Sequence, residues 1–254
     1  MLKAVFLGTG TSQGVPVIAC NCKVCMSNDK RDNRLRSSLL ISSDTTNVVI
    51  DSGPDFRQQM LREKVNNLDG LVFTHEHKDH VAGMDDVRAF NYAQKKDMDV
   101  FATERVQKAL HREFPYVFEK NKYPGVPRVA LHTINTKAFN VGDIELIPID
   151  VLHYLMPVKA FRIGGLTYIT DAKTIAEKEL EKIKGTDILI VNALRKTQHI
   201  SHFNLKGALQ LIDYIKPRKA YLTHISHMMG MHSEVSNELP ENVEIAYDGL
   251  EISF

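Results

Sequence analysis

The sequence predicts one α/β domain spanning residues 1–254, and three features indicate that class. Short β-branched runs recur from one end to the other, helical patterns fall between them, and no linker or low-complexity stretch interrupts the alternation. An apolar fraction of 43% in 254 residues is enough for a substantial core.

In chain order, the strand candidates are LKAVFLG, SSLLISS, NVVID, DGLVFTH, MDVFAT, DIELIPID, AFRIGG, LTYITD, DILIVNAL, KAYLTHI and VEIAYDGLEISF. Helical periodicity falls at 54–65, opened by Pro54 at a first-turn position, then at 84–94, 103–113, 174–184 and 204–216. Asn204 caps the last of these, and Leu205, Ala208, Leu209, Ile212 and Ile215 form its apolar stripe. Gly164-Gly165 and Asp248-Gly249 read as two-residue hairpin turns. Residues 115–136, PYVFEKNKYPGVPRVALHTINT, read as a long irregular connection of the kind that covers a site. His111 and His132 read as structural.

A net charge of +1 gives no strong pull toward nucleic acid or an anionic membrane. No apolar run approaches the ~18 residues of a membrane helix. MLKAVFLGTG reads as a strand and not as a signal peptide. Three cysteines are an odd number and make a poor disulfide framework. The expectation is a cytoplasmic protein with no membrane partner and with nucleic acid outside its expected partners. A homodimer is among the assemblies open to it.

THEHKDH, residues 74–80, gathers three of the 11 histidines beside an aspartate, between a strand pattern and a helical one. His75 and His77 lie two apart and point the same way from extended chain, while Asp79 and His80 follow on the turn and can face a second ion. Imidazoles and carboxylates suit zinc, manganese or iron, and two such ions ~3.5–4 Å apart can share a bridging hydroxide. The second cluster is CNCKVC. Cys20, Cys22 and Cys25 are close enough in sequence to reach one tetrahedral zinc, a structural ion, but a closed site needs a fourth ligand. His227 is the candidate. In THISH it stands three residues from His224, so the two face opposite ways on extended chain.

THEHKDHVAGMDD resembles the HxHxDHxxG signature of the metallo-β-lactamase superfamily. The resemblance implies a four-layer αββα sandwich. It also implies that His75, His77 and a later histidine hold one metal, that Asp79, His80 and another late histidine hold the second, and that a later aspartate bridges both. His153, His224 and Asp171, each after a strand pattern, match those positions in order. Asp51 in NVVIDSG matches an aspartate that orients a ligand without binding metal; the alternative is a cap for the helix beginning at Pro54. GTGTSQGVPVIACNCKVC followed by THEHKDHVAG resembles the PhnP-type phosphodiesterases, which act on cyclic phosphates and carry a structural zinc beside a dinuclear site. The likeness runs from Gly8 to Tyr247. It implies hydrolysis of a small phosphodiester, cyclic ribose phosphates included, by a metal-bridging hydroxide at a site in which Asp79 takes part. It makes His202 the general acid for the leaving alkoxide.

Two other readings share the sandwich: a tRNA 3′-processing endonuclease and a PqqB-like protein of cofactor biosynthesis. No long insertion resembling an RNA-gripping arm is present, and the full ligand set favours hydrolysis. Arg34, Arg36, Arg195 and Lys196 either hold a distal phosphate or, on the plainer reading, are solvated surface.

Overall fold

The structure is a computed structural model that describes residues 1–254. Its centre is a pair of mixed sheets. β1 (Lys3–Gly8), β2 (Ser38–Ser42) and β3 (Asn47–Ile50) run antiparallel. After helix α1 (Phe56–Arg62), β4 (Gly70–Val72) adds parallel to β3. Helices α2 (Lys78–Val81) and α3 (Arg88–Gln94) lead to β5 (Met98–Ala102), and α4 (Glu104–Glu113) and α5 (Pro115–Phe118) lead to β6 (Val129–Thr133), both strands again parallel.

The second sheet repeats the plan. β7 (Phe139–Val141), β8 (Ile144–His153), β9 (Met156–Ile163) and β10 (Leu166–Ile169) are antiparallel, and β11 (Thr174–Ile175) returns along the edge of β8. Beyond α6 (Glu177–Ile183) comes β12 (Ile188–Asn192), beyond α7 (Leu205–Ile215) β13 (Lys219–Thr223), and beyond α8 (His232–Ser236) β14 (Val243–Ile245), all parallel to β10. β15 (Glu251–Ser253) then crosses back to pair with β1. The strand orders are β15-β1-β2-β3-β4-β5-β6 and β11-β8-β9-β10-β12-β13-β14, with β7 on β8.

Three cores separate four layers, which is the αββα sandwich. Between the sheets lie Phe6, Ile41, Ile50, Phe161, Tyr168 and Ile190. Leu7, Leu40, Val49 and Val100 face α1, α3 and α4 through Phe56, Phe90 and Leu110. Ile169, Leu189, Val191 and Leu222 face α6 and α7 through Ile183, Ala208 and Ile212. Both faces of the central strands are thus buried, so they read as near-continuous apolar runs. No helix is long and apolar enough to cross a membrane.

The strand and helix expectations agree with the structure to within a few residues, apart from three places. Gly164-Gly165 does join antiparallel β9 and β10, but Asp248-Gly249 joins β14 to β15, which belong to different sheets. The Asp248 carboxylate explains this: it accepts from Thr9 N and Leu35 N, 2.9 and 2.8 Å away, and so turns the chain toward β1. Residues 115–136 are not irregular throughout. They contain α5 and β6, whose edge position leaves it half-exposed and weakens its alternation. His132 lies on β6, with its Nε2 2.7 Å from Asp99 Oδ1. Finally, Thr174 and Ile175 pair with β8 instead of opening the helix that follows.

Candidate metal centre

Parallel strands place their carboxyl ends on one rim, and the ligand candidates sit there. Asp51 follows β3, the 75–80 turn follows β4, Asp171 follows β10, His224 follows β13, and His153 ends β8. Asp51, Asp171 and His224 adopt left-handed backbone, with φ of 66°, 53° and 56°. Non-glycine residues seldom do so, and such strain concentrates at functional sites. Close backbone approach sets the turn itself. A Cβ on Gly53 would lie 2.1 Å from Asp79 O, and one on Gly83 would lie 2.1 Å from Gly53 O.

All seven residues proposed as ligands from the sequence converge. His75 Nε2 lies 3.1 Å from His77 Nδ1, and the His77 and His153 rings are 5.2 Å apart. His80 Nε2 lies 3.2 Å from both Asp79 Oδ2 and Asp171 Oδ2, and His224 Nδ1 lies 3.2 Å from Asp171 Oδ2. Asp171 is the hub. Ligand atoms of His75, His80 and Asp171 fall within 4.8 Å of one another, as do those of His153, Asp171 and His202. His202 therefore sits at ligand spacing, its Nδ1 3.7 Å from Asp171 Oδ1, where the sequence suggested only a proton donor.

Asp51 is buried and does not cap α1. Its carboxylate accepts from Thr74 N and Thr74 Oγ1, both at 2.8 Å, and lies 2.7 Å from His80 Nδ1. Thr74 has one hydroxyl proton and gives it to Asp51. Its oxygen, 2.9 Å from His75 Nδ1, must then accept from that ring, which leaves the lone pair on His75 Nε2 facing the cluster. Ser37 Oγ and Thr11 Oγ1 flank His224 at 3.1 and 3.2 Å from Nδ1 and Nε2. Asn192 clamps Ala172, donating to its carbonyl at 3.0 Å and accepting from its N–H at 2.9 Å. Sequence reasoning missed Thr11, Ser37, Thr74 and Asn192. Only Thr74, inside THEHKDH, and Thr11, inside GTGTSQG, carried a positional signal.

The cluster is a strongly perturbed electrostatic site. Burial opposes a charge on His80, yet Asp79, Asp171 and Asp51 hold its proton affinity well above the ordinary value. Burial opposes ionisation of Asp171 too, yet His224 and His80 keep it well below the usual carboxylate range. His75, buried and beside His80, is pushed well below its ordinary value and stays neutral, as a ligand must be. His153 Nδ1 is buried without a hydrogen-bond partner, and His80 Nε2 meets only the Asp79 and Asp171 carboxylates. An unsatisfied buried polar atom is costly, and among imidazoles and carboxylates a divalent cation is the partner that satisfies both. The residues fit such ions.

The cysteine cluster closes as well. His227 Nδ1 is 3.3, 3.4 and 3.5 Å from the sulfurs of Cys20, Cys22 and Cys25, and all three cysteines are free. A hydrogen bond from the Cys25 backbone lowers the Cys22 thiol to about 6, whereas burial raises Cys25 to about 11. Three sulfurs and one ring nitrogen at mutual contact fit a tetrahedral zinc.

Comparison with known proteins places these features in a family. Residues 46–225 match the β-lactamase superfamily domain. The chain is 38% identical over 253 residues to an octanoyltransferase of Porphyromonas gingivalis, covering 98% of itself but 51% of that relative. It thus spans about half the length of that curated protein. The crystal structure of a new diphosphatase from the PhnP family superposes with a TM-score of 0.94 at 35% identity, covering 100% of this chain and 97% of the other. Zinc-bound PqqB from Methylobacterium extorquens shares the fold, with a TM-score of 0.77 at 18% identity over 99% of this chain and 100% of that one.

Proposed function

Because this chain belongs to the β-lactamase superfamily and, within it, to the PhnP family, we propose that this metal-dependent hydrolase cleaves small phosphodiesters, cyclic ribose phosphates among them, at a dinuclear centre. The observation that carries the reading is the convergence of imidazoles on Asp171, with His153 Nδ1 buried and unpartnered beside them. His75, His77 and His153 would hold one cation and Asp79, His80 and His224 the other, with Asp171 between them. Bound there, zinc, manganese or iron supplies Lewis acidity toward phosphate oxygens and a water made nucleophilic near neutral pH. A structural zinc at Cys20, Cys22, Cys25 and His227 would brace the segment that carries His224.

The protein's own residues orient the ligands and move the proton. Thr74 and Asp51 fix the ring orientations of His75 and His80. His202 is the candidate donor to the leaving alkoxide. Burial, with His224 beside it, pushes His202 down to about 3, so its ring is neutral in the free protein. An anionic substrate beside the ring favours its protonated form, which brings the proton where the leaving group needs it. The pH limb that depends on His202 is therefore expected at higher pH in kcat than in kcat/KM.

His202→Ala tests the assignment, with bis(4-nitrophenyl) phosphate and a 2′,3′-cyclic nucleotide as substrates. Turnover of the cyclic nucleotide, whose alkoxide leaves poorly, should fall by roughly 10²–10⁴. The nitrophenyl ester should lose far less, and bound metal should not change. A variant that loses metal in step with activity would make His202 a ligand. An S-octanoyl thioester serves as the competing substrate class. Turnover of the thioester alone would end the phosphodiester reading.

A further inference from the structure

We propose that a cavity on the outer face of α3 is a binding site for a nucleotide, separate from the metal centre. None of its lining residues belongs to that centre, so the site stands whichever reaction the metals perform.

Arg88, Asn91, Tyr92 and Lys95 fall at i, i+3, i+4 and i+7, so they share one face of α3 and its C-cap. With Gly125 and Arg128, from the segment before β6, they line a cavity of about 480 Å³, a size usual for small-molecule sites. Asn91 fixes the two walls to each other. Its Oδ1 accepts from Arg128 N at 2.9 Å, and its Nδ2 donates to Arg128 O at 2.9 Å and to Lys96 O at 3.0 Å. Gly125 holds a φ of 103°, and a Cβ there would lie 3.2 Å from the Tyr92 hydroxyl oxygen. The segment thus lies close against Tyr92, which nevertheless stays 67% exposed. Met98 N also donates to Arg128 O, at 2.9 Å, which puts this wall at the amino ends of β5 and β6. The metal ligands stand at the carboxyl ends, beyond the roughly 16 Å that the five residues of β5 span.

Three cations and no carboxylate line the cavity. Arg88 Nη2 lies 3.0 Å from Asp85 Oδ2, and Arg128 Nε lies 3.2 Å from Asp97 Oδ1, both carboxylates standing outside the lining. These pairs are largely exposed, so water screens them and each contributes little. Lys95 makes no ion pair, whereas its neighbour Lys96 takes Asp69 at 3.0 Å. Like charges gathered around one cavity repel until an anion enters, and a phosphate offers a guanidinium two oxygens at once. Between Arg88 and Lys95 on the same helix face, the Tyr92 ring supplies a surface on which a base can stack. Cations set around an exposed ring match a molecule that is anionic at one end and aromatic at the other, as a nucleotide is. Inorganic phosphate would use the cations alone, and a nucleoside the ring alone.

The chain contains no tryptophan, so Tyr92→Trp in the metal-loaded protein gives a single fluorescent reporter inside the cavity. Titration with adenosine 5′-phosphate should change its emission saturably. Inorganic phosphate and adenosine should each bind about tenfold more weakly, because either makes only part of the contacts. Arg88→Gln combined with Lys95→Met in the same background should weaken the nucleotide by about tenfold or more and leave metal content unchanged. Hydrogen exchange on the unsubstituted, metal-loaded protein covers the case in which the tryptophan itself disturbs the cavity: the nucleotide should protect residues 88–95 and 124–128. No saturable change in emission together with no protection of those segments overturns the site. So does protection confined to the rim of the metal centre, or an emission change that survives the double substitution. A short oligodeoxynucleotide that binds more tightly than the mononucleotide would also overturn it, by making the cavity part of a strand-binding surface.

Discussion

Asp51 Oδ2 lies 2.8 Å from Thr74 Oγ1 and 2.7 Å from His80 Nδ1, so one carboxylate controls a ring on each side of the candidate site. Its left-handed backbone turns it inward directly after β3, a conformation that a capping role would not require. The Thr74 hydroxyl passes this control on to His75 Nδ1. Thr74→Val keeps the shape but removes the relay, which leaves His75 Nδ1–H without an acceptor and Asp51 Oδ2 with His80 Nδ1 alone. Metal affinity at the His/Asp cluster should fall by roughly 10–100-fold. Competition with a chromophoric chelator would measure it, and an unchanged affinity would remove Thr74 from the site.

At the scale of elements, the turn from β4 into α2 is held by backbone packing where side chains would not fit. Gly53 and Gly83 let the segment after β3 touch the carbonyl of Asp79 and the start of the 84–87 turn. Gly53→Ala would drive a methyl against Asp79 O, 2.1 Å from the Cβ position. Overpacking of this kind costs about 1–3 kcal/mol. Here the same displacement would move Asp79 and His80. Denaturant unfolding should give a lower midpoint, and elemental analysis should find metal lost from the His/Asp cluster before the cysteine cluster. Simultaneous loss at both would mean that the substitution acts on the whole fold.

At the scale of the whole molecule, the ends of the chain meet over Arg34. Arg34 Nη2 lies 3.3 Å from His232 Nδ1, and His232 N donates to Asp32 Oδ1 at 2.7 Å. Burial, then the cations Arg34 and Arg31, lower His232 from 6.5 to about 4, so the folded state holds it neutral. Between those values the unfolded chain binds the extra proton. The contribution is complete above pH 6.5 and is lost as pH falls toward 4. The slope from this residue approaches roughly 1.4 kcal/mol per pH unit. His232→Gln, which can still accept from Arg34, should flatten unfolding free energy against pH over that interval. An unaltered slope would mean that His232 titrates as it does in the unfolded chain.

Much of this protein is legible in one dimension because its information is local. β-branched runs mark strands buried on both faces, and the spacing within THEHKDH and CNCKVC limits which side chains can share an ion. His227 could be named because a separation of three reverses direction on extended chain. Contacts between distant segments carried no such mark. The lone Thr11, Ser37 and Asn192 that hold His224 and Asp171 in place have no periodicity, and Asp248-Gly249 resembles a hairpin until Thr9 and Leu35 claim the carboxylate. Tertiary structure alone brought His202 to ligand spacing beside Asp171 and left Arg195 without a carboxylate partner. Sequence spacing constrains neighbours along the chain, whereas the meeting of two parallel-strand rims decides which remote atoms face one another.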